Sequence, residues 1–181
     1  MSITEQTAQA VAVPTGTYNA DTVHSSVAFE VEYMGVGAFG CSVKDFNASL
    51  VDGRLSGAAR IASLETKDEN LHAHLMSPEF FDAERYPEVS FSTGEVSTDG
   101  GEIELTGEIT IRGISQPTTL RGTIVGPVTD PYGNERFGLK LQTTVDRTAF
   151  GITWNSDMPN GSKALSDDVT LKADLALVKA R

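Results

Sequence analysis

Between Gly101 and Arg112 the residues at every second position are apolar or small: Gly101, Ile103, Leu105, Gly107, Ile109 and Ile111. Glu102, Glu104, Thr106, Glu108, Thr110 and Arg112 stand between them. Side chains on a strand point alternately to opposite faces, so the pattern predicts a strand with one buried and one wet face. The same period predicts strands over about 27–33, 41–51, 55–64, 88–93, 116–128, 137–146 and 169–177. In the first of these, Val27, Phe29, Val31 and Tyr33 share a face opposite Ala28, Glu30 and Glu32. Asp52-Gly53 and Asp130-Pro131-Tyr132-Gly133-Asn134 read as turns between strands, and Gly35 to Gly40 as a bend. The 116–128 strand is expected to break near Gly126-Pro127.

The period changes once. Over residues 68–76, Leu71, Leu75 and Met76 fall at helical spacing, Thr66 or Asp68 can cap the turn, and Pro78 ends it. The fold class is therefore all-β: about eight antiparallel strands with one short helical excursion. Long strands joined in sequence favour a closed barrel over a sandwich. An eight-stranded barrel is just wide enough to be filled by side chains or to hold one small ligand.

Length and composition sharpen this reading. A chain of 181 residues suits one domain, expected over 16–181, behind a leader over 1–15. Such a domain buries enough core to need no disulfide or metal. Cys41 stands alone and reads as a small residue on a strand. The net charge of −11, with no basic cluster, excludes a nucleic-acid binder and gives no attraction to anionic membrane surfaces. No stretch is long and apolar enough for stable membrane insertion. The first fifteen residues lack the basic and apolar regions of an export signal, so a cytoplasmic protein is expected.

Candidate chemistry is sparse. His72 and His74 form a His-x-His pair, but on a helix a spacing of two turns their rings apart by about 200°, against a shared metal. Asp21, His24 and Ser25 resemble a catalytic set on paper, yet adjacent residues at the start of a strand read better as turn-forming hydrogen bonders. Glu102, Glu104 and Glu108 lie on a wet face, and Asp146-Arg147 reads as an ion pair at a strand end. No catalytic residue, metal ligand or cofactor is assigned. The aromatic and aliphatic residues on the inner faces either fill the barrel or line a cavity, and periodicity does not separate the two.

Several short segments, in order, resemble the YceI-like family of lipid-binding proteins. They are Tyr18, Asp21 and His24-Ser25 followed by Phe29 and Val31; Asn70 to Leu75, Ser77 to Asp82, and Tyr86-Pro87 with Phe91; Gly107 with Thr110 to Ile114 and Pro117; and Arg147, Phe150 and Gly151. Where Tyr33 stands, many members carry His. The resemblance implies a lipocalin-like barrel whose long apolar channel takes a polyisoprenoid or related amphiphile, such as an isoprenoid quinone. It leads to the expectation of a non-catalytic carrier or sequestering protein with an apolar lipid as its partner. Its expected wall residues are Phe29, Val31, Tyr33, Leu75, Phe80, Phe81, Phe91, Ile109, Ile111, Phe137, Leu139 and Trp154. Two alternatives stand beside it: a plugged barrel that binds a partner, and an enzyme using Asp21, His24 and Arg147 at the barrel mouth. A homodimer through a strand edge or the mouth is left open.

Overall fold

The computed structural model describes residues 12–181; of the expected leader, residues 1–11 lie outside the described residues. The strands are β1 (Thr17–Ala20), β2 (Ser26–Tyr33), β3 (Gly37–Val43), β4 (Phe46–Val51), β5 (Arg54–Arg60), β6 (Leu64–Glu65), β7 (Glu88–Asp99), β8 (Glu102–Ile111), β9 (Ile114–Thr129), β10 (Glu135–Asp146) and β11 (Leu165–Lys179). The helix α1 covers Glu69–Met76, and 3-10 turns occupy Ile61–Ser63 and Arg147–Phe150.

All eleven strands belong to one antiparallel sheet, which closes because β1 pairs with both β4 and β11. Three of the wall positions are each made by two successive strands. β1 and β2 share the flank of β11, with β1 against residues 177–179 and β2 against residues 165–174. β4 and β3 come next, and β5 and β6 follow them. With β7 to β11 this makes the barrel eight positions around, as the sequence period predicts.

The strand expected over 41–51 is interrupted at Lys44–Asp45. There Ser63 receives both exposed amides: Lys44 N donates to its carbonyl at 3.1 Å and Asp45 N to its hydroxyl at 2.9 Å. The corner lets this wall position turn around the barrel while its backbone donors stay paired. The break expected at Gly126-Pro127 is a bulge instead. β9 runs on to Thr129, with Val128 opposite Arg136 and Val125 opposite Gly138 across a cis Gly126-Pro127 bond.

Inside, the barrel has two unlike halves. Near the β1 end Tyr18, Leu50, Leu105, Ile124, Leu139 and Leu177 are at most 1 % exposed and pack solidly. Phe137 sets its ring edge-on to Tyr18 at a centroid distance of 5.3 Å. The Tyr18 hydroxyl donates to Glu135, and burial together with that carboxylate pushes its pKa up to about 12. Further along the same strand, β10, the inward residues Leu141 and Val145 face open space.

Candidate functional site: an apolar half-barrel cavity

That space is a cavity of about 210 Å³ bordered by β2 to β11, α1, the segment after α1 and the 3-10 turn after β10. Local sequence builds its α1 end. Asp68 caps α1 by accepting a hydrogen bond from Leu71 N at 3.0 Å, which leaves Leu75 turned inward and 2 % exposed. Pro78 and the residues after it leave the helix path. Arg112 then pins that segment: its Nη1 donates to the carbonyls of Pro78 (3.1 Å), Phe80 (2.9 Å) and Gly151 (3.2 Å). One guanidinium thus ties the segment after α1 to the turn after β10, and Phe80 and Phe81 are held over the hollow half.

Eight of the twelve expected wall residues border the cavity. Phe29 and Val31 come from β2, Leu75 from α1, Phe80 and Phe81 from the following segment, Phe91 from β7, and Ile109 and Ile111 from β8. The other four stand elsewhere. Phe137 and Leu139 belong to the packed half. Tyr33 lies at the end of β2, 43 % exposed, against Phe39. Trp154 packs against His74 at 4.7 Å and Phe80 at 5.4 Å, outside the lining.

Sequence reading missed Phe39, Phe46 and Phe150, all of which border the cavity. Phe39 was hidden by the glycines around it, which read as a bend rather than as β3. Phe46 lies beyond the unforeseen corner at Lys44–Asp45, and Phe150 is in a 3-10 turn that follows no strand period. Arg147 also borders the cavity although it is only 5 % exposed. It does not bond its neighbour: Asp146 instead accepts from Thr148 N at 2.9 Å and Thr148 Oγ1 at 2.6 Å, capping the 3-10 turn. Nothing in local sequence separates a buried arginine from a surface ion pair.

The polar candidates fall into separate groups. His72 Nε2 lies 3.2 Å from the Ala62 carbonyl, while His74 Nε2 meets Glu79 Oε2 at 2.5 Å. Among the described residues no three His, Cys, Asp or Glu side chains gather as a metal-binding group would. Cys41 is buried on β3, and burial pushes its thiol pKa up. Asp21, His24 and Arg147 do not converge. His24 Nδ1 lies 2.8 Å from Asp21 Oδ2 and Arg136 Nη1 donates to the same oxygen at 3.1 Å, at the start of β10, whereas Arg147 follows its far end.

The Asp21 group is a stability element. The hydrogen bond with His24 first, and then that from Arg136, lower the Asp21 pKa from 3.8 to about 2. The unfolded chain therefore takes up the proton more readily, and the contribution of the group is complete above about pH 4. It is lost as the pH falls towards 2. Asp21→Asn should lower the urea midpoint at pH 7, and the gap from the parent protein should shrink as the pH falls from about 4 through 2. A gap that stays constant across that range would show that the carboxylate charge plays no part.

Among the described residues no helix is long and apolar enough to cross a membrane. The chain matches the YceI-like domain over residues 18–177. It is 27 % identical to protein YceI of Escherichia coli O157:H7 over 136 residues, covering 71 % of each chain. The YceI protein of Campylobacter jejuni superposes with a TM-score of 0.66 at 26 % identity, over 77 % of this chain and 84 % of that one. A polyisoprenoid-binding domain from Saccharophagus degradans gives 0.67 at 11 % identity, over 90 % and 98 %. With a match that runs from the first strand of the barrel into the last, this chain belongs to the YceI-like family.

Proposed function

We propose that this protein binds the chain of an isoprenoid-type lipid, such as a polyprenyl compound or an isoprenoid quinone, and carries or sequesters it without chemical change. The observation that carries this reading is the contrast between the two halves of the barrel. The same inward strand faces that close one half completely leave an apolar hollow in the other. A lining this apolar holds water poorly, and filling the cavity with an apolar chain recovers packing contacts. The description of the Saccharophagus degradans domain as polyisoprenoid-binding supports the same reading.

At about 210 Å³ the cavity is smaller than the ~300–1,000 Å³ usual for ligand pockets. It takes one stretch of a chain, and a longer lipid requires the half-buried rings of Phe29, Phe39 and Phe81 to move aside. Burial of about 400 Å² of apolar chain at roughly 25 cal/mol per Å² would gross on the order of 10 kcal/mol, before ordering costs. Native mass spectrometry of protein purified without detergent tests the proposal. A bound mass of several hundred daltons that extracts into organic solvent is expected. Bare protein that also takes up no added prenyl lipid would end it.

A further inference from the structure

We propose that Arg147 is the head-group site of the cavity: its free Nη2 receives the carboxylate of an apolar-chain acid, whose tail points towards the packed Tyr18 end. This rests on the lipid-binding reading above and adds the chemistry and orientation of the ligand.

Two edges of the Arg147 guanidinium are already engaged. Nε donates to the Ser166 carbonyl at 2.8 Å, and Nη1 to those of Ile152 (3.0 Å) and Trp154 (2.8 Å). All three partners are neutral, and they fix the plane of the fork. The remaining nitrogen, Nη2, is buried and has no hydrogen-bond partner among the described residues. The nearby carboxylate oxygen, Asp167 Oδ1, is 3.7 Å away, beyond hydrogen-bonding distance, on a side chain 66 % exposed. A buried donor without an acceptor is costly, and an arginine cannot remove the cost by losing its proton. Burial lowers the Arg147 pKa, while Asp167 and then Asp146 oppose it.

The surroundings select the missing acceptor. Asp82 and Arg147 are the buried charged residues among the described residues, and of the two only Arg147 borders the cavity. Asp82 has Arg85 at 3.6 Å as its partner, on the segment after α1. The Arg147 charge meets only the solvent-screened carboxylates of Asp167 and Asp146, so an anionic oxygen gains more from it than a neutral one. A carboxylate carries one charge, as the guanidinium does, and accepts without needing a donor in return. A doubly charged head would leave one charge unanswered in apolar surroundings. Because Arg147 follows the end of β10 away from Phe137 and Leu139, a head bound there directs its chain along Val145 and Leu141 towards the packed half.

The test compares two fifteen-carbon isoprenoids, farnesoic acid and farnesene, as competitors of the apolar fluorophore N-phenyl-1-naphthylamine on the full chain. Farnesoate should bind at least about tenfold more tightly than farnesene, the margin of one charge-assisted hydrogen bond. Replacing Arg147 itself would also remove three backbone contacts, so the variant used is Asp167→Asn, at an exposed position. It leaves Nη2 less compensated and should tighten farnesoate several-fold while farnesene stays unchanged. Asp174→Asn, which makes the same change in net charge at a site 58 % exposed on β11, should alter neither. Equal binding of the two competitors, unmoved by Asp167→Asn, would overturn the head-group assignment and leave the lipid reading standing. Failure of both to compete would remove the lipid reading and this proposal together.

Discussion

Gly122→Ala should destabilise the barrel by about 3 kcal/mol or more, at the upper end of what overpacking costs. A Cβ at this position in β9 would lie 1.6 Å from the Lys140 carbonyl oxygen and 2.7 Å from its carbon. Both atoms are backbone of β10, which pairs with β9 directly alongside, so no side chain can rotate to make room. The methyl group fits only if the two strands part, which breaks ladder hydrogen bonds on both sides. Gly37→Ala is the matching control: a Cβ there meets nothing within 4 Å, and the backbone is not left-handed. Urea unfolding followed by circular dichroism should show a large drop in midpoint for the first variant and little change for the second. Equal midpoints would mean that the β9–β10 pair is looser than described.

Phe91→Asp and Phe137→Asp should fail in different ways, although both residues are inward-facing phenylalanines on strands. Phe91 borders the cavity and is half-buried. A carboxylate there can draw water into the hollow, so the barrel should fold while uptake of prenyl lipid falls by more than tenfold, given a penalty of several kcal/mol for desolvating a charge beside an apolar chain. Phe137 is 6 % exposed and locked against Tyr18. A charge there has neither water nor a partner, and the variant should lose its folded state. Circular dichroism separates the two outcomes and native mass spectrometry reads lipid retention. If Phe137→Asp folds and loses lipid while Phe91→Asp keeps it, the hollow half has been assigned to the wrong end.

Those two phenylalanines also show where sequence reading stops. The alternation along 101–112 and 137–146 places Ile103, Ile109, Phe137 and Leu141 on inward faces, and the structure agrees. It cannot say how far apart opposite walls stand, because that depends on tilt, corners and split strands. The corner at Lys44–Asp45 depends on Ser63, distant in sequence, and no local pattern announces it. The short strand β1 carries too few residues to show a period, yet its pairing with β4 and β11 closes the wall. Asp68 as the cap of α1 is legible, since its chemistry lies within one helical turn. Arg147 is not, because its acceptors Ile152, Trp154 and Ser166 come from an irregular loop and the start of the next strand.

The solid packing around Tyr18 and Leu139 makes the barrel a blind sleeve and not a conduit. A thread cannot be fed in at one rim and drawn out at the other, so arrival and departure must share a doorway. Under the carrier reading proposed above, whatever end of the guest enters first is the last to leave, and a donor and an acceptor would take turns at the same rim.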